Sequence, residues 1–243
     1  MFSIFKKELP LVTDVNWLSV DIHSHLLPGI DDGARDLNES ISYIKSLQSL
    51  GYEKLLCTPH VFTELYPNNA DTILLALGQV EAAIRTEKIS LAVGAAAEYM
   101  IDENFRITDE LICLPGKHIL IEMSYLNETP NIEQVIFDLQ IKGYIVILAH
   151  PERYNFYHGV PQRYQRLIDI GCLFQLNLLS IIGYYGKEVK HAAEYLIKKR
   201  FYSLVGSDLH HQKHLNFLTE SVRSGYIYKT IGNYPFKNKE LFG

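Results

Sequence analysis

Short apolar runs and longer amphipathic stretches alternate along the chain. The runs at 18–23 (LSVDIH), 54–58 (KLLCT), 90–97 (SLAVGAAA), 118–123 (HILIEM), 144–149 (YIVILA), 173–178 (LFQLNL) and 203–207 (SLVGS) have the length and bounded apolar character of buried strands. Between them, apolar residues recur three and four apart. Ile41, Ile44, Leu47 and Leu50 form one such stripe, which Asn38 is placed to cap and Gly51 to end. Further helices are predicted near 70–87, 131–142, 161–171 and 187–200, the 131–142 and 161–171 stretches closing at Gly143 and Gly171. Strand–helix alternation of this kind builds βαβ units and a parallel sheet. Seven repeats in one chain favour an α/β closed barrel, with an open doubly wound sheet as the alternative.

At 243 residues without repeats, low-complexity stretches or a Pro/Gly/Ser linker, residues 1–243 are expected to form one domain. An extension over 1–18 precedes it, and a C-terminal helix and Tyr-rich tail occupy 212–243. The formal charge of −5 argues against a nucleic-acid partner. No apolar run has the length of a membrane span, so no membrane insertion is expected. The opening MFSIFKKELP lacks the order of a signal peptide, and a cytoplasmic protein is expected. Three scattered cysteines (Cys57, Cys113, Cys172) form no disulfide framework. None begins a Cys-x5-Arg loop, since Thr63, Ile119 and Leu178 stand where the arginine would be.

A parallel barrel carries its chemistry at the C-terminal ends of its strands. Six of the seven predicted strands end at a residue able to bind a metal: His23 and His25, then His60, Glu98, Glu122, His150, and finally Asp208 with His210. Residues two apart on a strand share a face, which pairs His23 with His25 and Asp208 with His210. Asp21, one step deeper, is placed to orient a ligating histidine. Asp32 follows in the turn PGIDDG. Singly, each has an ordinary reading: a strand histidine, a rim carboxylate in a salt bridge, an extended turn before proline. Gathering so many ionisable groups at one rim without a cation would be costly, and a metal cluster accounts for all nine candidates together.

The ordered motifs DIHSH, DDG, CTPH, EY, IEMS, LAHPERY and GSDLHH resemble the polymerase-and-histidinol-phosphatase (PHP) superfamily. More narrowly, the chain is similar to its bacterial metal-dependent protein-tyrosine phosphatases, found with capsule and exopolysaccharide machinery. The likeness runs from about residue 20 to 211; the preceding residues and the tail depart from it. The resemblance implies a distorted, TIM-like (β/α)7 barrel holding three divalent ions, with manganese or iron favoured and cobalt or zinc compatible with the donors. It implies His23, His25, Glu98 and Asp208 at the first ion. Glu98 would bridge to a second with Glu122 and His150, and Asp32, His60 and His210 would hold a third. In many PHP relatives the positions of Asp32 and Glu122 carry histidine; acids at both match the tyrosine-phosphatase branch.

That reading implies hydrolysis of a phosphomonoester by metal-activated hydroxide without a phosphoenzyme. Four carboxylates leave three divalent ions under-neutralised, which suits a phosphate dianion. Arg153 would clamp a phosphoryl oxygen, its alternative being a loop salt bridge with Glu152 or Asp31. Phe62, Tyr66, Tyr154 and Tyr157, with Phe156, are candidates for an aromatic rim around the phosphotyrosyl ring, or for packing at the barrel top. The substrate would be a phosphotyrosyl protein, a tyrosine kinase of polysaccharide export. Hydrolysis of a small phosphate such as histidinol phosphate, and a silent barrel that binds a partner, are the competing readings.

Overall fold

The computed structural model describes residues 11–243, so the first ten positions of the expected 1–18 extension lie outside the described residues. Nine short strands are present among them: β1 Val20–Asp21, β2 Lys54–Cys57, β3 His60–Val61, β4 Ala92–Ala95, β5 Glu98–Met100, β6 His118–Glu122, β7 Ile145–Ala149, β8 Leu173–Asn177 and β9 Tyr202–Gly206. Every pairing is parallel. One sheet runs β1-β2-β4 and the other β3-β5-β6-β7-β8-β9. The helices are α1 Leu37–Leu50, α2 Ala70–Glu87, α3 Ile132–Ile141, α4 Pro161–Asp169, α5 Leu178–Ile182, α6 Lys187–Lys199, α7 Gln212–Arg223, α8 Tyr226–Ile231 and α9 Asn238–Phe242. No helix among the described residues is long and apolar enough to cross a membrane.

The two sheets share a continuous register. Cys57 lies opposite Ala95, and His60 lies opposite Glu98, the same offset on both sides of the break. Pro59, which has no N–H to donate, falls in the gap of one strand and Ala96–Ala97 in the gap of the other. The strand predicted over 90–97 therefore stops at Ala95, and Glu98 opens a separate strand, β5, instead of following the end of the first. The first strand also differs from expectation. Its ladder covers only Val20–Asp21, because Ser19 before it adopts a left-handed φ of 63°. Beyond Asp21 the extended chain is held instead by Asp208 N–H donating to the His23 carbonyl and His25 N–H to the Leu209 carbonyl, beside a parallel bridge between Ser24 and Leu209. At α1 the cap is Asp36, whose side chain accepts from Glu39 N–H; Asn38 already lies inside the helix.

Two hydrophobic clusters flank the strands. Val20, Ile22, Leu56, Leu120, Ile147 and Leu204 pack together around Phe242, while the larger cluster joins the opposite strand faces to the helices. The tail closes the N-terminal end of the strands. Phe242 meets the His118 ring edge-on, and Lys54 Nζ donates to the Phe242 carbonyl. Asn238, fully buried, accepts from Val205 N–H and donates to the carbonyls of Val20 and Val205. One amide side chain thus supplies the rungs missing between β1 and β9. Three helices fill the stretch read as a helix and tail, and Tyr234 donates to the Tyr202 carbonyl.

Replacing Asn238 with Ala strands a buried N–H and two buried carbonyls. We expect a loss of roughly 2–4 kcal/mol and a Tm lower by about 5–15 °C, measured by thermal denaturation; an unchanged Tm would mean that the seam is held elsewhere.

Candidate metal centre

At the C-terminal strand ends lies a cavity of about 350 Å³ whose wall includes Asp32, His60, Glu122, His150, Asp208 and His210, with Arg153 beside them. His23, His25 and Glu98 lie behind these, fully buried. All nine predicted residues therefore meet in one place, although more than seventy residues separate Asp208 from its nearest predecessors apart from His150.

Hydrogen bonds fix the orientation of the rings. Gln175 Oε1 accepts from His150 N–H, and its amide nitrogen donates to the Leu176 carbonyl, so its oxygen must face His23. His23 donates to it through Nδ1 at 2.9 Å. His25 donates through Nδ1 to Asp31 at 2.7 Å, and His210 through Nδ1 to the Asp208 carbonyl at 2.9 Å. Each ring is left with a bare Nε2. Those of His23 and His25 face each other at 3.3 Å. Around them stand Glu98 Oε2, at 3.2 and 3.4 Å, and Asp208 Oδ1, at 3.4 and 3.5 Å. Glu98 Oε2 is buried without a hydrogen-bond partner, as is His150 Nδ1. Lone pairs converging in a dry site repel one another unless a cation lies among them.

Without a metal, protons would supply that charge. Burial pulls His60 down, yet Glu122 and Glu98 lift it to about 10. Burial likewise opposes His25, but Asp31 and neighbouring carboxylates hold it well above its ordinary value. Glu98 shows the complement: burial pushes it up, and His23 and His60 pull it well below. Asp31 is lowered to about 2, chiefly by His25 against the cost of burial. The donor set of imidazoles and carboxylates, with no thiolate, fits divalent metal ions that would displace those protons.

The candidate donors gather in overlapping groups. Ligand atoms within 4.8 Å of one another form the sets His25–Asp32–His60–His210, His23–His150–Asp208, His23–His25–Glu98 and His60–Glu98–Glu122. His60 stands between two sets because its ring presents Nδ1 to Glu122 at 2.8 Å and Nε2 to Asp32 at 3.5 Å. His150 approaches Glu98 at 3.1 Å, as expected, and also joins His23 and Asp208.

Strain contributes to the site. His150 and Asp208 have φ of 35° and 50°, left-handed values that cost about 1–3 kcal/mol for residues other than glycine. Asp208 thus approaches His210 through a turn after β9 rather than by strand alternation. Gly33 packs so closely under His25 that a Cβ there would lie 2.0 Å from the His25 carbonyl oxygen. A glycine is required where the DDG turn lies on the His-x-His segment.

Several expectations change. Asp21 accepts from His23 N–H, Ser207 N–H and the Ser207 hydroxyl, so its carboxylate is spent on two backbone N–H groups and one hydroxyl rather than on an imidazole. Phe62 and Tyr66 line the cavity, but Tyr154 and Tyr157 do not. Both are buried: Tyr154 accepts from Met123 N–H, and Tyr157 donates to Glu128. Their hydroxyls brace the loop after β6 and their rings pack under the rim. Arg153 pairs with neither Glu152 nor Asp31 but donates to Asp208 at 2.8 Å. Its guanidinium lies between the rings of Tyr125 and Tyr185, 4.6 and 4.1 Å from their centroids. The three thiols line no part of the cavity, and burial pushes Cys57, Cys113 and Cys172 up to about 12, 11 and 12.

Gln175, Asn177, Asp31, Tyr125 and Tyr185 were not singled out as site residues. β8 was the one predicted strand ending without a metal-type residue. Yet two polar residues spaced two apart in a buried apolar strand, as in LFQLNL, already mark one inward face. Gln175 orients His23, and Asn177 donates to Asp208 at 2.6 Å.

With this geometry in place, the comparisons are decisive about kinship. The family described as "Capsular polysaccharide synthesis, CpsB/CapC" matches residues 19–235. The chain belongs to this family. It is 32% identical over 205 residues to the tyrosine-protein phosphatase YwqE of Bacillus subtilis, covering 83% of this chain and 81% of that one. A solved structure, described as one of YwqE from Bacillus subtilis and CpsB from Streptococcus pneumoniae, "unique metal-dependent tyrosine phosphatases", matches with a TM-score of 0.80 and 31% identity over 91% of each chain. The lactonase Lmo2620 of Listeria monocytogenes matches in fold alone, with a TM-score of 0.54 and 13% identity over 94% of this chain and 92% of that one.

Gln175→Leu removes the partner of His23 Nδ1 and of His150 N–H. Metal affinity, titrated calorimetrically on stripped protein, is expected to fall about 10–100-fold. Affinity equal to the parent protein's would show that His23 needs no such support.

Proposed function

We propose that this protein is a metal-dependent protein-tyrosine phosphatase acting on a tyrosine kinase of polysaccharide export. The observation that carries the reading is the set of bare acceptors converging beside a ring-stacked arginine in an aromatic-rimmed cavity. The names of its relatives point to the same chemistry. Residues 11–243 act as one distorted (β/α)7 barrel, a reading supported by the parallel pairing of all nine strands and by the contacts between His23–His25 and Asp208–Leu209. The protein works in the cytoplasm.

His23, His25, Asp32, His60, Glu98, Glu122, His150, Asp208 and His210 would hold three divalent ions, manganese in the first instance. When bound, the ions supply Lewis-acid charge and make water a stronger nucleophile at neutral pH. The chain's own groups do the rest. Arg153 is fixed in plane by Asp208 and by the two tyrosine rings, so part of its fork is spent on Asp208 and the remainder is free to hold phosphoryl oxygens. The rings also keep water off the guanidinium, which strengthens its attraction for the charge of the transition state. Phe62 and Tyr66 flank the entrance, where the substrate ring would lie. Water attacks phosphorus directly: a P–O bond to water forms as the bond to the tyrosyl oxygen breaks, and a proton given up by that water ends on the departing phenoxide, leaving tyrosine and hydrogen phosphate. A cysteinyl phosphoenzyme finds no support, since none of the three thiols lines the cavity and burial disfavours their thiolates.

Phosphate release from a phosphotyrosyl peptide and from histidinol phosphate tests the reading, using stripped protein given Mn²⁺. Peptide turnover that requires the metal and disappears in His150→Ala is expected, with Arg153→Lys lowering kcat at least about a hundredfold. Turnover of histidinol phosphate alone would overturn the substrate class.

A further inference from the structure

The site cavity continues past its rim. Phe62, Met100 and Tyr125 wall it on one side and also line a second cavity, of about 620 Å³. Three segments build this groove: the loop after β3, the chain following β5 and the loop following β6. Its floor is apolar, with Ile101 and Val135 beneath, and at its lip Leu126 is 89% exposed, next to the apolar wall of Phe62, Met100 and Tyr125. Its charged lining residues are Glu64, Asp102 and Glu103, all acidic. Among the described residues, none of the three forms an ion pair; Asp102 accepts only from the N–H groups of Asn104 and Phe105. Arg106, close in sequence, turns its guanidinium to the carbonyls of Glu103 and Phe105.

We propose that this groove seats the polypeptide flanking the phosphotyrosine. It selects segments with an apolar side chain two or three residues from the phosphotyrosine and a Lys or Arg next to it. This rests on the phosphatase reading above. The continuity of the two cavities carries the first part, because a chain whose tyrosyl ring passes Phe62 and Tyr125 emerges against the groove. Leu126 at the lip and the apolar wall of Phe62, Met100 and Tyr125 form one contiguous apolar surface, which calls for an apolar side chain. Three carboxylates without a cation call for a basic one, and they repel a segment with acidic flanks. The occupant is therefore bipolar, with its phosphate at the metal centre and its positive charge at the acidic lip. Free phosphotyrosine would use only the first cavity.

The test compares kcat/KM on the Mn²⁺-loaded protein for three substrates: free phosphotyrosine, a phosphotyrosyl peptide with Leu and Lys flanks, and one with Ala and Glu flanks. The Leu/Lys peptide is expected to be preferred over the Ala/Glu peptide by about tenfold or more, mostly through KM, with the preference shrinking as salt is raised. Glu64→Lys with Glu103→Lys, and separately Leu126→Glu, should erase that preference while leaving turnover of free phosphotyrosine unchanged. Equal kcat/KM for both peptides, preference for the acidic one, or variants that keep the parent preference would each overturn the groove and leave the phosphatase reading standing. Failure to hydrolyse any of the three, free phosphotyrosine included, would remove both.

Discussion

The site is organised by electrostatic frustration that positive charge among the acceptors relieves, supplied by protons or by metal ions that displace them. Two imidazole nitrogens face each other across 3.3 Å, with carboxylate oxygens on either side, in a place from which water is excluded. Protein groups do not gather in this way by default, since each lone pair is costly to bury unpaired. The surrounding structure holds them there. Gln175 and Asp31 take the Nδ1 protons, His150 and Asp208 accept strained backbone conformations, and Gly33 allows one turn to lie directly on another. Each device makes sense if the binding energy of metal ions offsets its cost.

The far end of the molecule supports this arrangement. Asp208 and His23 lie on segments that meet across the β1–β9 seam, and the seam has few backbone rungs of its own. Asn238 completes it at the N-terminal end, with Phe242 filling the space among the inward-facing strand residues. A tail that touches no candidate ligand thus fixes the spacing of the strands that carry them. The tyrosines of this tail pack and hydrogen-bond within the fold, as the Tyr234–Tyr202 contact illustrates.

Arg153 shows how one residue can serve two purposes. Its pairing with Asp208 sets its direction, and the tyrosine rings on either side fix its plane. Tyr125 then belongs to two cavities at once, stacking on the arginine and forming the near wall of the acidic groove. If the groove seats the chain flanking the phosphotyrosine, as proposed, chemistry at phosphorus and recognition of that chain would be coupled through one aromatic side chain.

The sequence by itself determined the alternation of strands and helices and the identity of the nine converging residues. Both follow from local rules: apolar periodicity marks the elements, and a parallel sheet presents polar residues at its strand ends. Tertiary structure alone decided how those residues pair. His60 joins two donor sets through its two ring nitrogens, and Asp208 reaches the centre through a left-handed turn rather than a strand. The burial of Tyr154 and Tyr157 beneath the rim, with Tyr125 and Tyr185 exposed to the cavity instead, also depends on how the loops fold over one another. Gln175 and Asn177 fall between these cases. Their place on an inward strand face was legible, but their partners, 152 residues away in one case, were set only when β8 came to lie beside the His-x-His segment. Spacing along a chain specifies which way a side chain points; what it meets there depends on elements brought together from far apart.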